Sequence, residues 1–178
     1  EKIEMYTDGL PEDISGARAL FENDPFEFEY WCCDLVNARP AGNKARDRMK
    51  GADKGIDGVI MFPDKKEDSA QSEYRKIIVQ VKGGHVAAPQ VRDFRGTIAR
   101  ENAAGGVFIT LHEPTKPMLQ EAVEVGDYTY NLTGQKYPKI QIITVQELLE
   151  GKRPQSPSII SYVRKPETAD KTQPQLFN

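Results

Sequence analysis

Three polar residues in two short apolar segments offer oxygen ligands and an ammonium group. Asp57 lies near the start of the first segment, residues 55–62, while Gln80 and Lys82 end the second, residues 77–83. Carboxylate and amide oxygens suit Mg²⁺ or Mn²⁺ better than zinc. An ammonium group beside such a cation can orient an attacking water and offset the charge that develops on a phosphoryl group. These residue types therefore indicate metal-assisted attack on a phosphodiester.

The two segments have the composition of neighbouring β-strands. Both are rich in β-branched residues, and the polar stretch 63–76 joins them, which predicts an antiparallel hairpin. A register symmetric about this loop places Asp57 opposite Lys82. Because side chains alternate along a strand, Gln80 and Lys82 share one face and the apolar residues between them face the other way. The backbone carbonyl of Val81 is a further candidate metal ligand.

A helix precedes the hairpin and supplies another carboxylate. Asp24 and Glu27 form a capping-box pattern around Pro25, which predicts a helix that runs to about Asn37. Glu29 lies on the rim of its apolar face and is a candidate metal ligand, with a solvated flank as the alternative. The residues predicted on the buried face are Phe28, Trp31, Cys32 and Leu35. Adjacent cysteines fit neither a disulfide framework nor a zinc site, so Cys32 and Cys33 are predicted to be buried packing residues.

The segment between the helix and the hairpin is locally basic, although the whole chain has a net charge of −3. Residues 39–54 carry six basic residues against two acidic ones. A basic loop that leads into Asp57 indicates a polyanionic substrate, whereas a solvated loop with scattered charge is the alternative. The candidate DNA-binding residues are Lys44, Arg46, Arg48, Lys50 and Lys54.

Length and composition predict one soluble domain with tails, since 178 residues with 38% apolar content can form one core. No apolar run approaches the roughly 20 residues of a membrane span and no signal pattern opens the chain, so we expect a cytoplasmic protein without a membrane partner. A first residue other than methionine suggests a segment of a longer protein. The expected divisions are a lead-in or linker at 1–23, a domain at 24–153, and a tail at 154–178.

The order of elements predicts an α/β sandwich with crossover connections. After the hairpin come a helix at 88–102, a strand at 107–111, a helix at 115–125, a strand at 140–143 and a short helix at 144–150. Strands that alternate with helices imply parallel pairing after the hairpin. Residues 158–163 are a candidate edge strand, and the chain from 164 on has the composition of a disordered tail.

Several of these segments resemble the Mrr-type branch of the PD-(D/E)xK restriction-endonuclease-like superfamily. The resemblance lies in residues 51–58, 79–82 and 106–110, and in the helix residues 28–29 and 34–36. It implies a three-layer sandwich around a central mixed sheet, with the core order helix, strand, strand, helix, strand, helix, strand. It also implies a DNA endonuclease that uses Mg²⁺ or Mn²⁺ and acts on double-stranded DNA.

The resemblance assigns roles to particular residues. Asp57 and Lys82 match the catalytic aspartate and lysine, and Glu29 matches a helix glutamate that assists the metal. Asp53 lies in the same motif but is expected in the loop. Gln80 occupies the position of the usual acidic residue and, as a neutral ligand, would bind a cation less strongly.

Alternatives and partners follow from the same residues. A domain that binds DNA without cutting it is the main alternative, and a small-molecule enzyme or structural domain with an Asp57–Lys82 ion pair is another. The segment 24–153 also resembles nuclease-like domains attached to bacterial DNA methyltransferases, which implies a restriction-modification system with a fused or cognate methyltransferase. The sequence is compatible with a homodimer.

Two further features concern the histidines and the tail. His85 and His112 are distant in sequence and are expected to be structural or exposed rather than zinc ligands. The glycines at 83 and 84 are expected to form a hinge.

Near the end of the chain, Gln173, Leu176 and Phe177 resemble a peptide that docks on the replication sliding clamp, with an idle tail as the alternative.

Overall fold

A computed structural model describes residues 9–41 and 55–157 of the chain. The strands are β1 (Arg39–Pro40), β2 (Gly58–Lys65), β3 (Ser72–Lys82), β4 (Gly105–Thr110), β5 (Asp127–Tyr130), β6 (Gln135–Pro138) and β7 (Ile140–Thr144). The helices are α1 (Ile14–Asn23), α2 (Pro25–Leu35), α3 (Ala88–Arg100), α4 (Lys116–Glu124) and α5 (Val145–Leu149). Within this described part, no helix is both long enough and apolar enough to span a bilayer.

The centre of the fold is a mixed sheet with the strand order β1-β2-β3-β4-β7. The pairs on the β1 side are antiparallel, whereas β3 with β4 and β4 with β7 are parallel. Parallel neighbours require crossover connections, and α3 and α4 lie in those connections. The mixed sheet and the predicted order of the core elements are therefore confirmed.

Apolar side chains on both faces of the sheet produce three layers. One core cluster joins Val79, Val107 and Ile143 of the sheet to Phe28 and Trp31 of α2. The other face packs against α3 and α4 through a separate cluster: Ile78, Val91, Phe94, Ile98, Phe108, Met118, Ala122 and Ile140. Since β4 is buried along its whole length, the uninterrupted apolar sequence of this strand reflects burial on both faces.

Helix α1 lies in the segment that the sequence assigned to a linker. Asp13 caps it by accepting a hydrogen bond from the Gly16 N–H, and Ala17 is fully buried in the first core cluster. A helix that contributes to the core belongs to the folded domain, so the expected boundary at residue 24 is too late. The small antiparallel pair of β5 and β6 was not predicted from the sequence. The candidate strand at 158–163 lies outside the described residues.

The register of the β2–β3 hairpin differs from the symmetric one predicted. The strands continue into the expected loop, so the connection shortens to residues 66–71, where the Lys66 N–H donates to the Gln71 carbonyl. This shorter turn pairs Gly58 with Val79, a shift of two residues from the predicted pairing. Extending this register by one residue places Asp57 beside Gln80 rather than opposite Lys82. The prediction was wrong because the turn is centred one residue earlier than the midpoint of the predicted loop 63–76, and a displacement of one residue in the centre shifts the pairing by two.

Candidate active site at the edge of the sheet

Asp57 is held at the edge of the sheet by two hydrogen bonds to β3. Its backbone N–H donates to the Val79 carbonyl at 2.8 Å, which continues the ladder one residue beyond β2. Its carboxylate oxygen Oδ2 accepts from the Val81 N–H at 2.7 Å. The same two residues of β3 thus fix both the main chain and the side chain of Asp57. The second Asp57 carboxylate oxygen, Oδ1, accepts no hydrogen bond from the residues that the structure describes.

Glu29 of α2 reaches the same edge, and its carboxyl group is electrostatically coupled to Asp57. The pKa of Glu29 is raised from 4.5 to about 7, mainly by desolvation and then by the negative charge of Asp57, while Lys82 acts in the opposite direction. Desolvation also raises the pKa of Asp57, against the Val81 N–H and the charge of Lys82. The fold therefore concentrates two carboxyl groups and one ammonium group in a partly dehydrated space.

Gln80 is the β3 residue beside Asp57 when the hairpin register is extended by one residue. It is buried, with 8% of its surface exposed. Its amide packs against Gly55, where an added Cβ atom would lie 2.6 Å from Gln80 Nε2. Gly55 has a φ of +69°, a conformation that L side chains rarely adopt. Glycine at this turn therefore provides both the backbone path into Asp57 and the space for the glutamine side chain.

Lys82 ends β3, and the chain directly after it is covered by α1. The ring of Phe21 lies so close to Gly83 that a Cβ atom there would be 2.2 Å from Phe21 Cδ2. Phe21 in turn packs edge-to-face on Phe28 of α2, with ring centroids 5.3 Å apart. Gly83 is buried, so the expectation of a hinge is wrong for this residue. The absence of a side chain at Gly83 allows α1 to hold the end of β3 in place.

The thiols of Cys32 and Cys33 line the inner side of the site and are fully buried, as predicted. Burial raises the pKa of Cys33 to about 12, with the negative charges of Asp57 and Glu29 acting in the same direction. The pKa of Cys32 is raised for the same main reason. Both side chains are therefore neutral thiols that keep water away from the carboxyl groups.

The structure brings together Glu29, Asp57, Gln80 and Lys82, and it reveals contacts that sequence patterns missed. The Val81 N–H donates to the Asp57 carboxylate, a contact that was not predicted, and the Val81 carbonyl stays a predicted metal ligand. The hydrogen bond from Val81 and the packing of Phe21 on Gly83 correspond to no sequence motif. They depend on the strand register and on where α1 packs. The predicted DNA-binding residues Lys44, Arg46, Arg48, Lys50 and Lys54, along with Asp53, lie outside the described residues. The same holds for Gln173, Leu176 and Phe177.

A single divalent cation fits the donor chemistry of this edge. Two carboxyl groups and the Gln80 amide oxygen are hard ligands of the kind that Mg²⁺ and Mn²⁺ take. Desolvation, and then the charge of Asp57, disfavour the ionised form of Glu29, and a cation bound here would favour that form. Residues 9–41 and 55–157 contain no group of three or more His, Cys, Asp or Glu side chains arranged to hold a metal ion. Neutral oxygen ligands would therefore have to complete the set.

Comparison with known proteins defines the class of this fold and then the family. The crystal structure of "MspJI Restriction Endonuclease in Complex with 27-mer Oligonucleotide" matches with a TM-score of 0.52 and 14% sequence identity, over 76% of this chain and 29% of that one. The "DNA modification-dependent restriction endonuclease AspBHI" matches with a TM-score of 0.51 and 18% identity, over 79% of this chain and 35% of that one. The fold is thus restriction-endonuclease-like.

A family model of restriction endonucleases, Mrr_cat, matches residues 20–150. The chain therefore belongs to the Mrr-type restriction endonuclease family, and the resemblance found in the sequence is confirmed. The comparison with curated proteins gave no match. The chain spans about a third of the length of the two solved enzymes that it resembles.

The close packing at Gly83 generates a stability prediction. Gly83→Ala should lower the free energy of unfolding by roughly 1–3 kcal/mol, because the new methyl group overlaps the Phe21 ring and α1 must shift. Urea unfolding monitored by circular dichroism measures the change. Gly84→Ala is the matched control, because a Cβ atom at Gly84 meets nothing within 4 Å. Equal unfolding midpoints for the two variants would show that α1 does not cover Gly83.

The raised pKa of Glu29 generates a pH-dependence prediction. Between pH 4.5 and about 7, folded Glu29 retains a proton that the unfolded chain has released, so this residue makes the free energy of unfolding fall as pH rises. Glu29→Gln should make the protein more stable than wild type by roughly 1–3 kcal/mol at about pH 8 in EDTA, with little difference at about pH 4. Urea unfolding across this range measures it. Parallel pH profiles for the two proteins would contradict the coupling at this site.

Proposed function

We propose that this chain hydrolyses phosphodiester bonds of double-stranded DNA with the help of Mg²⁺ or Mn²⁺. The observation that carries the proposal is the convergence of Glu29, Asp57 and Lys82 at one edge of a sheet in a restriction endonuclease fold. Restriction endonucleases generally use divalent metal ions. A bound cation would supply Lewis-acid stabilisation of the phosphoryl oxygens.

The residues of the chain have distinct tasks in this proposal. Asp57 is the principal anionic ligand, and its hydrogen bond from Val81 holds the free carboxylate oxygen in one direction. Glu29, the Gln80 amide oxygen and the Val81 backbone carbonyl complete the proposed ligand set. Lys82 offsets the negative charge that develops on the phosphoryl group and orients the attacking water. The buried thiols and aromatic rings beneath the site limit the entry of other water molecules.

A DNA-binding domain that does not cut is the second candidate, and two observations favour it. Gln80 provides a neutral ligand where a carboxylate would bind a cation more strongly. The described residues also lack a cluster of three acidic or other strong metal ligands. In this case, the fold would deliver DNA to another domain. The chain covers about a third of each solved relative, so such a domain is consistent with the comparison.

A wider role in restriction is a further proposal, which the family match and the sequence resemblance to methyltransferase-linked nucleases support. We propose that the domain acts with a fused or cognate DNA methyltransferase in a restriction-modification system, in the cytoplasm. Because one relative is described as DNA modification-dependent, modified and unmodified DNA should both be tested as substrates. A homodimer would allow both strands of a duplex to be cut.

Cleavage assays test the proposed activity. The wild-type chain should nick plasmid DNA, in modified or unmodified form, when Mg²⁺ or Mn²⁺ is present. Asp57→Ala and Lys82→Ala should each lower the rate by at least about 100-fold, because Asp57→Ala removes the principal ligand of the cation and Lys82→Ala removes a positive charge beside the phosphoryl group. Glu67→Ala and Lys66→Ala are matched controls in the exposed hairpin turn at the other end of the sheet. Retained DNA binding without cleavage by the wild type would favour the second candidate.

The same assay includes a variant that distinguishes weak binding of the metal ion from a lack of cleavage activity. Gln80→Glu adds a carboxylate ligand, so half-maximal cleavage should require less Mg²⁺ than in the wild type. A variant that cuts no better at any Mg²⁺ concentration would show that Gln80 is not a metal ligand.

The tail is a separate proposal, and it rests on sequence alone. We propose that Gln173, Leu176 and Phe177 dock on the replication sliding clamp. The intact chain should capture the clamp in a pull-down, and alanine at Leu176 and Phe177 should abolish capture. Failure of the intact chain to capture the clamp would remove this proposal and leave the endonuclease proposal unchanged.

A further inference from the structure

Two histidines that are distant in sequence form a stacked pair beside the candidate site. The ring centroids of His85 and His112 are 4.0 Å apart, and the ring planes are inclined by 16°. His85 follows β3 and His112 follows β4, so the parallel pairing of these strands brings them together. His85 is exposed and His112 is partly exposed. The pair is therefore open to a ligand.

Main-chain contacts tie this pair to the end of β3. The N–H of Leu111 donates to the Lys82 carbonyl at 3.0 Å, and His112 hydrogen-bonds the Gly83 backbone. Along the edge of the sheet, Asp57 lies at β2, Lys82 at β3 and His112 just after β4. Neighbouring strands are about 5 Å apart. A polyanion with one charged group at Lys82 can therefore place its next charged group beside the histidines.

Arg18 adds a permanent positive charge to the same region. It is exposed on α1, one helical turn before the Phe21 ring that covers Gly83, so both side chains lie on the same side of the helix. Desolvation is the main cause of the lowered pKa of His112, and the charges of His85 and Arg18 contribute. Arg18 forms no ion pair within residues 9–41 and 55–157. A bound anion would relieve the mutual repulsion of these groups.

We propose that Arg18, His85 and His112 bind a phosphate of the DNA backbone next to the phosphodiester that Lys82 contacts. The Arg18 guanidinium group donates charge-assisted hydrogen bonds to phosphate oxygens, and a bound phosphate favours protonation of the stacked rings, which then donate as well. Such contacts position the duplex without reading its sequence. The inference rests on the proposed function for the identity of the neighbouring phosphodiester. The binding site itself is independent of cleavage.

DNA binding without metal tests this site. The intact chain is titrated with a labelled DNA duplex in EDTA, and the affinity is measured by fluorescence anisotropy over a range of salt concentrations at about pH 6 and about pH 8. Arg18→Gln should lower the slope of log affinity against log salt by about 1, because one phosphate contact is lost. Lys66→Gln, with the same loss of charge in the exposed turn at the far end of the hairpin, should leave the slope unchanged.

The histidines have their own variant in the same titration. The double variant His85→Gln, His112→Gln should bind DNA roughly 5-fold to 10-fold more weakly than the wild type at about pH 6 and differ less at about pH 8, because uptake of a proton by the rings on phosphate binding becomes less favourable as pH rises. His85→Lys should retain binding at both pH values, since it supplies a charge at the same place.

The outcomes separate this site from the proposed activity. Salt slopes and affinities equal to those of the wild type in Arg18→Gln and in the double variant would overturn the phosphate site, even if the protein cuts DNA. The expected losses of binding in a wild-type chain that never cuts DNA would support the site and refute the endonuclease proposal. Absence of DNA binding by the wild type at low salt would refute both.

Discussion

The attachment of Asp57 to β3 is the constraint on which the candidate site depends. One hydrogen bond, from the Asp57 N–H to the Val79 carbonyl, sets the strand register, and another, from the Val81 N–H to the carboxylate, sets the side-chain direction. Val81 is also the residue before Lys82. A carboxylate and an ammonium group are thus positioned by adjacent residues of one strand, and their separation is determined by a rigid sheet rather than by loops.

Burial raises the pKa values of the two carboxyl groups at this site. Helix α2 covers the sheet with aromatic rings and thiols, and it brings Glu29 into the dehydrated space beside Asp57. Desolvation is the main reason why the pKa of Glu29 rises to about 7, and repulsion between the two carboxylates adds to it. A proton or a cation can relieve this repulsion. The restriction endonuclease family to which the chain belongs gives the cation a role, and the neutral Gln80 limits how tightly the site would hold it.

Helix α1 connects the stability of the fold to the edge where DNA would bind. Phe21 packs between Phe28 of α2 and the bare backbone of Gly83, and Arg18 lies one turn away on the exposed side. The same helix therefore holds the end of β3 and contributes a positive charge beside the histidine pair. The family match begins at residue 20, within this helix, so Arg18 lies outside the matched region.

The sequence by itself determined the α/β class, the order of the core elements and the identity of the charged residues. Local signals sufficed for these features: the capping pattern at Asp24, the apolar run of β4 and the polar positions of the hairpin are all readable within short windows. Burial of the cysteines also followed from their place on an apolar helix face. Tertiary structure alone decided the hairpin register, because the turn is centred one residue earlier than the midpoint of the predicted loop, which places Asp57 beside Gln80 instead of Lys82. It also decided the packing of Phe21 on Gly83 and the stacking of His85 on His112, since these contacts join segments whose approach depends on how helices and strands pack in three dimensions.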